Sequence, residues 1–184
     1  MNSSRLCRRA FVGALPLTVL VDPSRLVADQ DAPKPGFHGE FTPEEAELVA
    51  ASPMAREIAT LHGQGYSCAE MVLLAALRFL KLPESHLGAA GVFGGGIGKG
   101  DLCGFLTGSL IAFGLAASMR HADRTEISRT ARALSNEYWD WWLSRGDLRC
   151  AVLRPTYDGS ADFLRMAQRT ALKTEELLRT VLPG

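Results

Sequence analysis

Neither sign of charge is in excess in this 184-residue chain, where 20 Lys and Arg stand against 20 Asp and Glu. A balanced chain has no basic footprint for nucleic acid or anionic lipid, so no nucleic-acid partner is expected. No segment alternates convincingly at period two, and no Asn-Gly or Asp-Gly pair separates strand-like runs, so a sheet is not expected. Cys68, Cys103 and Cys150 form no C-x-x-C pair, which leaves thioredoxin-like and zinc-ribbon sites unsupported. The lack of C-x-x-C-H excludes covalently attached c-type haem. Lys99 is followed by Gly100 rather than Ser or Thr, and no strand or G-x-G-x-x-G frame stands before it. Phosphate loops of the Walker and dinucleotide kinds are therefore not expected.

What is present begins with an address. Arg8 and Arg9 precede Phe11 and an apolar run to Val21. That run, about 11 residues, falls short of the roughly 20 a membrane-spanning helix needs. The layout is that of a twin-arginine export signal, expected over residues 1–28 and read by the twin-arginine export machinery. Two prolines and two glycines in Asp29–Phe41 read as a linker, and residues 42–184 as the folded domain. Loss of the leader would leave 16 basic and 19 acidic residues of the original 20 and 20. The expected location is the periplasm or cell envelope. The apolar fraction of 47% and charged fraction of 22% are those of an ordinary globular protein.

Helical signals fill the rest. Thr42-Pro43-Glu44-Glu45 and Ser67-Cys68-Ala69-Glu70 are capping boxes, and Ser52-Pro53 breaks the first helix and starts another. Further helices are expected from about Leu102 to Met119 with Asp101 as cap, from Asp123 or Thr125 to Gly146, and from Ser160 to Val181. The expected fold class is all-α, a compact bundle of about five helices with a glycine-rich loop.

With Cys7 in the leader, three cysteines remain, and an odd number cannot form a closed disulfide framework. At least one thiol must be free, metal-bound or paired with another chain. Cys68 and Cys103 fall in first helical turns, where unpaired N–H groups and the helix dipole favour a thiolate. Cys150 follows the helix stop at Gly146. Gly94, Gly95, Gly96, Gly98 and Gly100 crowd together just before Cys103. Such a backbone can approach a group closely or take positive φ, and is expected to wrap the Cys103 thiol and offer N–H groups to sulfur. Gly104 and Gly108, four apart, suggest tight helix packing. Tyr138, Trp139, Trp141 and Trp142 read first as core. Of His38, His62, His86 and His121, only His62, six residues before Cys68, is a candidate ligand.

GYSCAE at 65–70, FGGGIGKGDLCGFLTG at 93–108 and RGDLRC at 145–150 resemble the C-GCAxxG-C-C family of redox-active proteins. The resemblance covers roughly residues 45–180 and implies a small helical redox protein built around four cysteines. A related domain occurs beside haems in split-Soret cytochromes, where an iron–sulfur cluster is associated with it. Cys68, Cys103 and Cys150 match three of the family's cysteines, and Gly104 and Gly108 match glycines of its cysteine-glycine block. Phe105 stands where the family usually has alanine. The fourth cysteine is absent, with Ser160, Ala161 and Asp162 in its region. Asp158, Ser160 or Asp162 could supply an oxygen ligand instead, a position could stay open for a substrate or small thiol, or a second copy of the chain in a homodimer could complete the set.

The expected function is an exported redox protein that binds an iron–sulfur cluster or another thiophilic metal through Cys68, Cys103 and Cys150, in electron transfer with a redox partner protein. Gly94, Gly95, Gly96, Gly98 and Gly104 would then line the cofactor. The alternatives are a cofactor-free thiol–disulfide oxidoreductase with Cys68 and Cys103 as catalytic residues, and a non-catalytic envelope binding module.

Overall fold

The computed structural model describes residues 36–154, apart from His38, and residues 159–182; of Gly159 and Ser160 it describes the backbone alone. The twin-arginine segment, its cleavage point, most of the linker, His38, Asp158 and the Ser160 side chain lie outside what is described.

Seven α-helices carry the fold: α1 (Pro43–Ala51), α2 (Pro53–Leu61), α3 (Cys68–Leu80), α4 (Gly104–Arg120), α5 (Arg124–Leu143), α6 (Cys150–Leu153) and α7 (Gly159–Val181). A 3-10 segment, Glu84–Ala90, and a tight turn, Gly96–Gly100, lie between α3 and α4. Among the described residues there is no strand, as the all-α expectation requires, but the count of about five helices is too low. The break expected at Ser52-Pro53 is present, where Ser52 holds an extended backbone (φ −74°, ψ 119°) between α1 and α2. The helix that the sequence did not announce is α6, the four residues that coil after Arg149.

Capping sets most helix starts. The Thr42 hydroxyl accepts from the Glu45 N–H at 3.2 Å. Ser67 and Glu70 form the full reciprocal box, with the Ser67 N–H on the Glu70 carboxylate at 2.9 Å. Asp123 accepts from the N–H groups of Thr125 and Glu126 at 2.9 and 3.0 Å. At α2 the local cap is joined by a distant one. Glu175, buried on α7, accepts from the Ser52 hydroxyl at 2.6 Å and the Met54 N–H at 2.9 Å.

The start of α4 departs from the sequence expectation. Cys103, not Asp101, is its N-cap residue, and no side chain caps it. Residues 101–103 are instead drawn out against 148–150, in a single antiparallel bridge between Leu102 and Arg149. The Cys103 N–H donates to the Leu148 carbonyl at 2.8 Å and the Cys150 N–H to the Asp101 carbonyl at 2.7 Å. Those non-local bonds outweigh the local helix signal at Asp101.

The core is centred on α3, buried almost all round from Ala69 to Leu77, and on α4 against it. A Cβ at Gly108 would lie 2.5 Å from the Ala69 carbonyl oxygen, so the two backbones meet there with no side chain between them. Helix α7 covers α2 and α4, and α5 closes the other side of α4. Where α4, α5 and α7 meet, the buried hydroxyls of Ser109, Tyr138 and Thr174 are hydrogen-bonded, with Ser109 at 3.0 Å from Tyr138 and 2.7 Å from Thr174. Tyr138 and Trp142 are fully buried, which bears out the packing role read for that aromatic group.

Candidate functional site: a three-thiol pocket

Three cysteines far apart in sequence open or cap three different helices. Cys68 is the first residue of α3, Cys103 caps α4, and Cys150 is the first residue of α6. All three are free thiols, and all three line one pocket of about 300 Å³. Tyr66, Phe105 and Phe163 supply aromatic wall, Ser67 and Gly95 complete the near side, and Arg154 contributes a charge.

Two devices bring the thiols together. The Leu102–Arg149 bridge fastens the residue before Cys103 to the residue before Cys150. Gly104 admits Cys68: a Cβ at Gly104 would fall onto the Cys68 sulfur and lie 2.9 Å from the Ala69 nitrogen. Only a residue without a side chain lets the starts of α3 and α4 close on that thiol.

The glycine loop does not wrap Cys103 as expected; it grips Cys150 and the start of α3. Gly95, Gly96, Ile97 and Gly98 are all left-handed, with φ of 61°, 64°, 58° and 64°. The loop coils back on itself, and the Asp101 N–H reaches the Gly96 carbonyl at 3.0 Å. At Gly96 a Cβ would meet Asp101 at 2.5 Å and the Cys150 Cβ at 2.8 Å. Gly94 lies against the Ser67 side chain, Gly95 faces the pocket, and Gly98 has open space beside it.

The electrostatics of Cys103 differ from a helix-start expectation. Burial pushes the Cys103 thiol far up, and the neighbouring Cys68 adds to the rise. The N–H groups of Phe105 and Leu106 pull it back down, but with 2% of Cys103 exposed, desolvation dominates. Cys150 is also raised, by burial first and then by Cys68, with Arg154 opposing. The thiols are thus close enough that a second negative charge is resisted. A bound cation would remove that resistance.

The remaining candidates lie elsewhere. His62 ends α2 and packs its ring 5.9 Å from Phe163, outside the pocket lining. Asp162 is buried and paired with Arg165 at 2.5 Å, also away from the lining. Among the described residues, no three His, Cys, Asp or Glu side chains are gathered to hold a metal ion. The donor set is nonetheless soft, three sulfurs without carboxylate or imidazole. Such soft donors suit a thiophilic metal or an iron–sulfur group. Sequence reasoning missed the bridge at 102–149 and Arg154. Neither has a local signal, because both matter only through contacts made across the fold.

No curated protein and no solved structure matches the chain. Residues 66–177, more than half of the chain, match the family model described as Putative redox-active protein (C_GCAxxG_C_C). The matched segment opens at Tyr66 and contains Cys68, Cys103 and Cys150. The chain belongs to the C_GCAxxG_C_C family.

Proposed function

We propose that this is an exported redox protein whose working part is the three-cysteine pocket, and that the pocket holds an iron–sulfur cluster or another thiophilic metal group. One observation carries the reading: Cys68, Cys103 and Cys150, from separate stretches of chain, line the same pocket. Three thiolates would hold the group, and when bound it would supply one-electron chemistry. The chain's own residues do the rest. Gly104 makes room for the Cys68 sulfur, and the 102–149 bridge fastens the segment that carries Cys103 to the one that carries Cys150. Phe105 and Phe163, with ring centroids 5.1 Å apart, keep water from the inner wall. The arginine pair at 8 and 9 and the apolar run after it support export by the twin-arginine route to the periplasm.

The test is anaerobic purification of the chain, with a visible spectrum and measurement of iron and acid-labile sulfide. Bound iron and sulfide with charge-transfer bands, lost in Cys103→Ser, are expected. Colourless, metal-free protein after reconstitution would overturn the cluster reading. Export is tested by fractionation, with Arg8→Lys/Arg9→Lys expected to retain the protein in the cytoplasm. A second reading, thiol–disulfide exchange without a cofactor, is supported by Cys68 lying near enough to Cys103 to raise its thiol. It predicts a Cys68–Cys103 disulfide that forms and reduces reversibly at a mild potential.

A further inference from the structure

Three sulfurs occupy part of the pocket wall. Among the described residues, the rest of the lining holds no histidine, carboxylate or further cysteine. What the wall does offer is a single charged side chain, Arg154, and three aromatic rings. Arg154 makes no ion pair among the described residues. Other arginines of the chain are committed, Arg149 to Asp147, Arg165 to Asp162 and Arg169 to Glu45. An exposed guanidinium left over at a pocket of soft donors is a ready receptor for a carboxylate, which it can hold through two parallel hydrogen bonds.

We propose that the pocket receives a small thiol that carries a carboxylate, with its sulfur at the three cysteines and its carboxylate on Arg154. The two ends of the ligand answer the two chemistries of the wall. The ligand's sulfur comes against the cysteine thiols, with which it can exchange as a disulfide, the anion seeks the guanidinium, and Tyr66, Phe105 and Phe163 flank a short apolar spacer. This inference deepens the reading of the pocket as the redox site and rests on it, but the charge selectivity belongs to the protein and is testable without a metal.

The experiment uses the full chain, reduced and metal-free, with three small disulfides as probes: 3,3′-dithiodipropionate (anionic), bis(2-hydroxyethyl) disulfide (neutral) and cystamine (cationic). In each reaction a cysteine thiolate attacks one probe sulfur, a protein–probe disulfide forms, and the other half leaves as a thiolate. The probe's own S–S bond is thus the oxidant. The anionic probe is expected to react faster than the neutral one. In Arg154→Gln that ratio should fall by about tenfold, the effect of one charge at contact range in a half-wet site. Arg154→Lys should keep most of it, and the cationic probe should move the opposite way. A wild-type ratio of one or less overturns the proposal, whether or not the variants fold. So does an unchanged ratio in folded Arg154→Gln. Absence of iron and sulfide in the purified protein would sink the cluster and leave this ratio standing, so the two failures are distinct.

Discussion

Gly104 is the residue on which the pocket's geometry turns, because the Cys68 sulfur and the Ala69 nitrogen occupy the space its side chain would need. Gly104→Ala gains helix propensity but forces the starts of α3 and α4 apart. A loss of about 1–3 kcal/mol in urea unfolding is expected, as for other overpacked sites. The thiols make a second prediction through pH. Cys103 and Cys150 have raised values in the folded chain, so the folded state holds their protons more tightly than the unfolded one. Their contribution to stability is complete below the ordinary thiol value of 9.0 and is lost as pH rises above it. The metal-free protein should lose melting temperature from about pH 9 upward, and Cys103→Ser should flatten that slope. A slope unchanged in Cys103→Ser would contradict the burial assigned to this thiol.

At the scale of elements, Glu175 shows how a helix start can be finished by a helix more than a hundred residues away. Its carboxylate accepts from Ser52 and Met54 at the head of α2 and from Arg179 at 2.6 Å on its own helix. Glu175→Gln keeps the shape and removes the charge. It should cost about 2 kcal/mol in chemical denaturation, the range for buried hydrogen bonds to a charged group. The starts of α1, α2, α3 and α5 were legible in the sequence because their caps are local: Thr42, Ser52, Ser67 and Asp123 each bond within three residues. The start of α4 was not. Asp101 has a cap's chemistry, but its carbonyl is taken by Cys150, and nothing near it in sequence says so. Likewise the glycine run announced positive φ, yet that it would lean on Cys150 follows only from the bridge.

On the scale of the molecule, α3 and α4 form a spine whose N-terminal ends carry two of the cysteines, and the third arrives from the far end of α5. The odd cysteine count showed that at least one thiol stays outside any internal disulfide, and the family resemblance pointed to all three together. Spacings alone could not place them around one cavity. If the pocket takes up a metal group, folding and loading are coupled. At a free concentration one hundred times the dissociation constant, loading adds about 2.7 kcal/mol, a rise of roughly 5–10 °C in melting temperature for a domain of this size. A chelator should reverse the shift, and Cys150→Ser should abolish it. Equal melting curves with and without the metal would leave the pocket a thiol site only.

The short pairing of Leu102 with Arg149 has one more consequence. Helices α3, α4 and α5 can each coil as the chain emerges, but Cys150 reaches the pocket only when the whole stretch from 101 to 150 has doubled back and closed. Long-range closures of this kind come late in folding. A filled pocket is therefore a receipt for a finished chain: whatever binds all three sulfurs samples only molecules whose fold is complete.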